Sequence, residues 1–107
     1  MKVISNQTEL TRSLLINPSD TVNASVLAAN VAKTVTVPSG AQAVSFSANG
    51  DFYVNFNGGT AAVPSVDITN GNGAELNPST RYIAGLSSFS IVAPAATVVV
   101  LSYYSVT

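Results

Sequence analysis

The 107-residue chain has no cysteine and no histidine, and only 8% of its residues are charged. Without cysteine there is no disulfide framework, and the redox compartment stays open. Without either residue the usual nucleophiles and general bases are missing, so bond chemistry would fall to carboxylates. Those are few: Glu9, Asp20, Asp51, Asp67 and Glu75, none a close neighbour of another in sequence. Asp67 and Glu75 flank the loop at residues 70–73 and are the pair that folding can bring together for glycosidic cleavage, but both read as solvated loop residues. The chain is therefore read as a non-enzyme without a cofactor.

Positive charge is equally sparse. Lys2, Arg12, Lys33 and Arg81 are scattered, and the formal net charge is −1. That leaves no electrostatic footprint for nucleic acid and no basic face for a membrane surface. The longest apolar run, residues 91–101, is interrupted by Pro94 and Thr97 and is too short to span a bilayer. No charged-then-apolar secretory leader follows Met1, so the acceptor-like triplets at Asn6 and Asn23 read as chance matches. An average soluble domain is about 25% charged. The shortfall, beside 47% hydrophobic residues, predicts that a partner covers part of the surface.

One domain is expected from the length, burying roughly two-thirds of its unfolded surface. Residues 1–19 are the least periodic part and read as an N-terminal arm or edge segment ahead of a β-sandwich domain at 20–107. Val3, Ile4, Leu10, Leu14, Leu15 and Ile16 are too few for a core of their own, which makes them candidate contacts to a neighbour. Residues 21–32 are ambiguous, since Ser19 or Asp20 could cap a helix there, and the run that follows favours the extended reading. Lys33-Thr34-Val35-Thr36-Val37 is rich in β-branched residues and stops at the turn signal Pro38-Ser39-Gly40.

Residues 43–56 alternate with period two on both sides of Asn49-Gly50 and carry three of the four phenylalanines. They predict a β-hairpin. A three-residue turn at Ala48, Asn49 and Gly50, with Gly50 left-handed, sets Phe46 against Phe52 and Val44 against Val54. Val44, Phe46, Phe52, Val54 and Phe56 then share one buried face. Short strands are further expected at residues 60–63, 65–68, 81–83 and 89–92. The last strand, residues 97–104, is apolar on both faces in its first half and belongs inside a sheet with both sides covered. Seven or eight short strands without a helical period give an all-β fold, a single small antiparallel sandwich of jelly-roll or immunoglobulin-like type.

The remaining candidate sites are weak. Asp67, Asn70 and Asn72 offer hard oxygen donors, but an EF-hand loop would want donors where Thr69 and Gly71 stand, and turn chemistry accounts for the same residues. Asn57-Gly58-Gly59 lacks the helix a phosphate loop requires. Tyr53, Tyr82, Tyr103 and Tyr104 would make a sugar-stacking platform if two were exposed side by side; core or interface is the commoner use.

The order of motifs carries more than any one of them. Leu27-Ala28-Ala29-Asn30, Val35-Thr36-Val37-Pro38-Ser39-Gly40-Ala41, Asp51-Phe52-Tyr53-Val54, Ala62-Val63-Pro64, Glu75-Leu76-Asn77-Pro78 and Val92-Ala93-Pro94-Ala95, ahead of Tyr103-Tyr104, resemble the small all-β virion structural proteins of tailed bacteriophages. The resemblance is to the type that decorates or cements the capsid, and it covers residues 27–104. It implies a structural protein made in the host cytoplasm and carried on the capsid surface of the virion. It also implies that the major capsid protein is its partner and that it associates as a homotrimer. Tail and head-fibre modules that recognise host glycans draw on the same folds and form the alternative.

Overall fold

The computed structural model describes residues 21–105. Eight strands run in order: β1 (Thr21–Leu27), β2 (Lys33–Thr36), β3 (Ala43–Ala48), β4 (Tyr53–Asn55), β5 (Glu75–Leu76), β6 (Thr80–Tyr82), β7 (Ser88–Val92) and β8 (Thr97–Tyr104). They form two four-stranded sheets, β1-β8-β3-β6 and β2-β7-β4-β5, in which every strand pairing is antiparallel. The pairs β1/β8, β2/β7, β3/β6 and β4/β5 nest one inside the next. That nesting is a single long antiparallel ribbon wrapped around a core until β8 meets β3 and β7 meets β4. Of the two sandwich types left open by the sequence, this is the jelly roll.

Side chains alternate across each strand, so each sheet gives one face to the core. From the first sheet come Leu27, Val44, Val99, Leu101 and Tyr103; from the second Val35, Val54, Phe89 and Ile91. All four phenylalanines meet between the layers. Phe46 on β3 lies 5.6 Å from Phe52, 6.1 Å from Phe56 and 5.9 Å from Phe89, centroid to centroid, and Phe56 lies 5.3 Å from Phe89. Tilted and edge-on pairs at these separations add about 0.5–1.5 kcal/mol each beyond area burial.

This packing corrects the expected hairpin. Phe46 and Phe52 do meet, and Val44 and Val54 are both fully buried, but across the sandwich: β3 belongs to one sheet and β4 to the other. The partners of β3 are β8 and β6, with Phe46 opposite Leu101. Residues 49–52 form a corner that carries the chain between layers. Asn49 fastens it, its amide donating to the Val98 carbonyl (3.3 Å) and its Oδ1 accepting from the Val98 amide (3.0 Å). Gly50 is not left-handed there. Its role is close approach, because a Cβ would sit 3.0 Å from Thr97 Oγ1. At the far side of the corner Asn77, at φ 49°, accepts from the Phe52 amide through Oδ1 (3.0 Å) and donates from its own amide to the Phe52 carbonyl (2.9 Å).

Two of the expected strands are also absent. Residues 60–63 and 65–68 are irregular and belong to a long connection between β4 and β5. The reason is local: Pro64 has no amide for a ladder, and the Ala61 amide is spent on the Ser90 hydroxyl (2.8 Å). The expected interior position of residues 97–104 holds, since β8 lies between β1 and β3.

Both open sides of the sandwich are closed by a polar contact. Arg81 on β6 pairs with Glu75 on β5 (Nη2 to Oε1, 2.7 Å), and Lys33 on β2 donates to the Val26 carbonyl on β1 (3.0 Å).

Tyr103 is 1% exposed, and its hydroxyl finds no hydrogen-bond partner among the described residues. Burial pushes its pKa above the ordinary 10.0 by disfavouring the phenolate. A raised folded-state value means that the unfolded chain sheds the proton first. Stability is therefore complete below about pH 10 and falls as pH rises toward the folded value. Tyr103→Phe is expected to remove that alkaline loss in urea melts across pH 8–11. At neutral pH it is expected to leave stability unchanged or raised by about 1 kcal/mol, because no bond is lost with the hydroxyl.

Candidate interaction surface

The solvent sides of the two sheets differ sharply. On the β2-β7-β4-β5 sheet, Asn55, Ser90 and Val92 point away from the core and are nevertheless buried. The chain between residues 56 and 74 folds back over Asn55 and Ser90. Ser90 holds the Ala61 amide; Asn55 Oδ1 accepts from the Asn57 amide (2.8 Å), and Asn55 Nδ2 donates to the Asn72 carbonyl (3.4 Å). Gly59 comes so close that a Cβ would stand 3.1 Å from Asn55 Nδ2. The protein thus covers the middle of this outer face with its own connection, while Thr34, Thr36, Ser88 and Leu76 toward its margins stay exposed.

No described residue covers the outer face of the other sheet. Register places Val22, Ala24 and Val26 of β1 beside Ser102, Val100 and Val98 of β8, all on the side away from the core. Val26 is 69% exposed, Val22 58% and Val98 37%, with Val100 half-buried. Ala43, Ser45 and Ser47 of β3 continue the same face, and Tyr82 and Thr80 of β6 complete it. None of these side chains is charged. The expectation that the first half of β8 is covered on both sides therefore fails within the described chain: Val99 and Leu101 are in the core, while Val98 and Val100 face outward.

Tyr82 and Tyr104 both stand opposite Ala43, one on each side, and so share a cross-strand row on this face. Tyr82 is 77% exposed and Tyr104 half-buried, whereas Tyr103 belongs to the core.

Two of the groups considered for chemistry, Glu75 and Asn70, are engaged within the fold. Glu75, half of the carboxylate pair weighed above, is held by Arg81 through both Nε (2.9 Å) and Nη2 (2.7 Å). Among the oxygen donors near Asp67, Asn70 Oδ1 accepts from the Asn72 amide (3.1 Å), which is turn chemistry. Among the described residues no three His, Cys, Asp or Glu side chains gather where they could hold a metal ion, and no helix is long and apolar enough to cross a membrane.

The candidate arm contacts Val3, Ile4, Leu10, Leu14, Leu15 and Ile16 lie outside the described residues. The bare valine face was missed from the sequence. Its only signal is the alternation Val22, Ala24, Val26 in a segment whose intervening residues are polar. Comparison of the chain with family models, curated proteins and solved structures returned no match. What the structure defines is a class, an all-β jelly-roll sandwich with one sheet partly covered by its own connection and one whose uncharged outer face no described residue covers.

Proposed function

We propose that the protein is a bacteriophage virion structural protein, a capsid decoration or cement protein that binds the outside of the head and stabilises the shell. The observation that carries this reading is the uncharged outer face of the β1-β8-β3-β6 sheet, exposed at Val22, Val26 and Val98 and covered by no described residue, in a molecule that lays a connection of its own over the middle of its other sheet. Each 100 Å² of such surface buried against a neighbour is worth about 2.5 kcal/mol, and a shell gathers that gain once per copy. The major capsid protein is the proposed partner, with the arm residues Val3, Ile4, Leu10, Leu14, Leu15 and Ile16 adding contacts beside the valine face. The role is structural and not enzymatic, the place is the capsid surface, and the homotrimer comes from the family resemblance.

The test is to add purified protein to heads assembled without it. Saturable binding and a raised temperature of shell disruption are expected. Replacing Val26 and Val98 together by aspartate should lower the affinity at least tenfold, because two charges would then have to be desolvated at the contact. Heads that neither bind the protein nor gain heat resistance overturn the reading.

A second reading, a tail or head-fibre module for host glycan, is favoured by one observation, the shared row of Tyr82 and Tyr104. Loss of host-cell attachment on Tyr82→Ala, with shell binding absent in the unaltered protein, would select it.

A further inference from the structure

We infer that β1 is a strand-addition edge that pairs antiparallel with β1 of a second copy, about a two-fold axis at Ala24. Among the described residues the four sheet edges are β1, β6, β2 and β5. Three of them are blunted in the ways natural sheets blunt their edges, by shortness and charge: β6 has 3 residues and includes Arg81, β2 has 4 and begins with Lys33, and β5 has 2 and begins with Glu75. By contrast β1 has 7 residues, Thr-Val-Asn-Ala-Ser-Val-Leu, with no charge, proline or glycine. An edge of that length and composition is a template for pairing with another chain.

The register says which groups it offers. Val98 directs its amide and carbonyl to Asn49, on the β3 side of β8, so its partner Val26 is in a non-hydrogen-bonded pair and turns its own groups away from β8. By alternation Ala24 and Val22 do the same. Lys33 reaches the edge at one point, the Val26 carbonyl, from the opposite layer, and an oxygen with two lone pairs accepts from a strand as well. The residues that present backbone groups along the edge are also the ones that carry the bare apolar side chains of the outer face.

The occupant follows from symmetry. In an antiparallel pairing of β1 with its own copy centred at Ala24, Val22 opposes Val26 of the second copy and Val26 opposes Val22. Both apolar rows then meet like with like, and no charge is brought to the junction. Two sheets become one continuous sheet with an unbroken valine face. Because the pairing is two-fold, it links copies in pairs whatever symmetry gathers them elsewhere, and it does not depend on binding to a shell.

The absence of cysteine makes the test clean. Directly opposed residues in a hydrogen-bonded pair have Cα atoms about 5.5 Å apart, within disulfide range. Full-length Ala24→Cys is expected to form a covalent dimer on mild oxidation at least tenfold faster than Ser47→Cys, which lies on the same outer face but two strands in from the edge. Ala24→Lys, at an exposed position, should keep the circular dichroism of the fold and raise the dimer dissociation constant at least tenfold by sedimentation. Equal cross-linking of the two cysteine variants overturns the inference. So does protection of the Val22, Ala24 and Val26 amides from exchange in a protein that sediments as a monomer, which would assign the edge to the chain's own residues 1–20.

Discussion

Phe89→Ala is expected to remove a large share of the protein's stability and to shift its urea midpoint well below that of the parent. The side chain is 3% exposed and joins both Phe46 and Phe56, so its loss takes one ring out of the cluster that ties the two layers together. Phenylalanine-to-alanine changes in cores cost about 3–5 kcal/mol, and a domain of this size has about 5–15 kcal/mol in all. The sandwich has few means of absorbing the hole on the Phe46 side, because β3 is fixed by ladders to β8 and β6. Phe89→Leu, which keeps most of the volume, should lose less than half as much. Urea melts of the three proteins check this, and a Phe89→Ala variant as stable as the parent would show that the layers are held by something other than this cluster.

Ser90→Ala has the second largest expected effect, about 1–3 kcal/mol, and for a different reason. Its hydroxyl accepts from the Ala61 amide in a buried position, so removing it strands a backbone donor away from water. The damage should be local as well as global. Limited proteolysis is expected to cut the variant between residues 56 and 74 well before the parent, because Ser90 and Asn55 hold that connection against the sheet. Unchanged cleavage there, with stability intact, would mean that the connection is fastened elsewhere.

The sequence carried the fold class well and its connectivity poorly. Alternation at Val44, Phe46, Phe52, Val54 and Phe56 correctly named an inward set, because period two reports which way a side chain points within its own strand. It does not report whether two neighbouring arms share a sheet or face each other across a core. Asn49-Gly50 has the composition of a hairpin turn and serves as a corner between layers, and only the remote partners Val98 and Thr97 decide between the two. Residues 60–68 misled for a related reason: Ala61 is buried as a strand residue would be, but as part of a cover lying on a sheet. The interaction surface was least legible of all. Val98 and Val99 are the same residue type in adjacent positions, and one faces outward while the other is sealed. Nothing local distinguishes a valine whose face stays bare from one that the chain later covers.

The nested ribbon also sets an order of assembly. Because β8 lies between β1 and β3, neither of those strands can find its main partner until the eighth has left the ribosome. The innermost pair, β4 with β5, is available far earlier. Closing the outermost pair brings Thr21 and Tyr103 together across nearly the whole described chain, a loop-closure step that places such folds among the slow ones. During synthesis, then, the unpaired first strand waits exposed while the rest is made. A crowded cell making many copies at once is where this molecule is most open to joining the wrong neighbour.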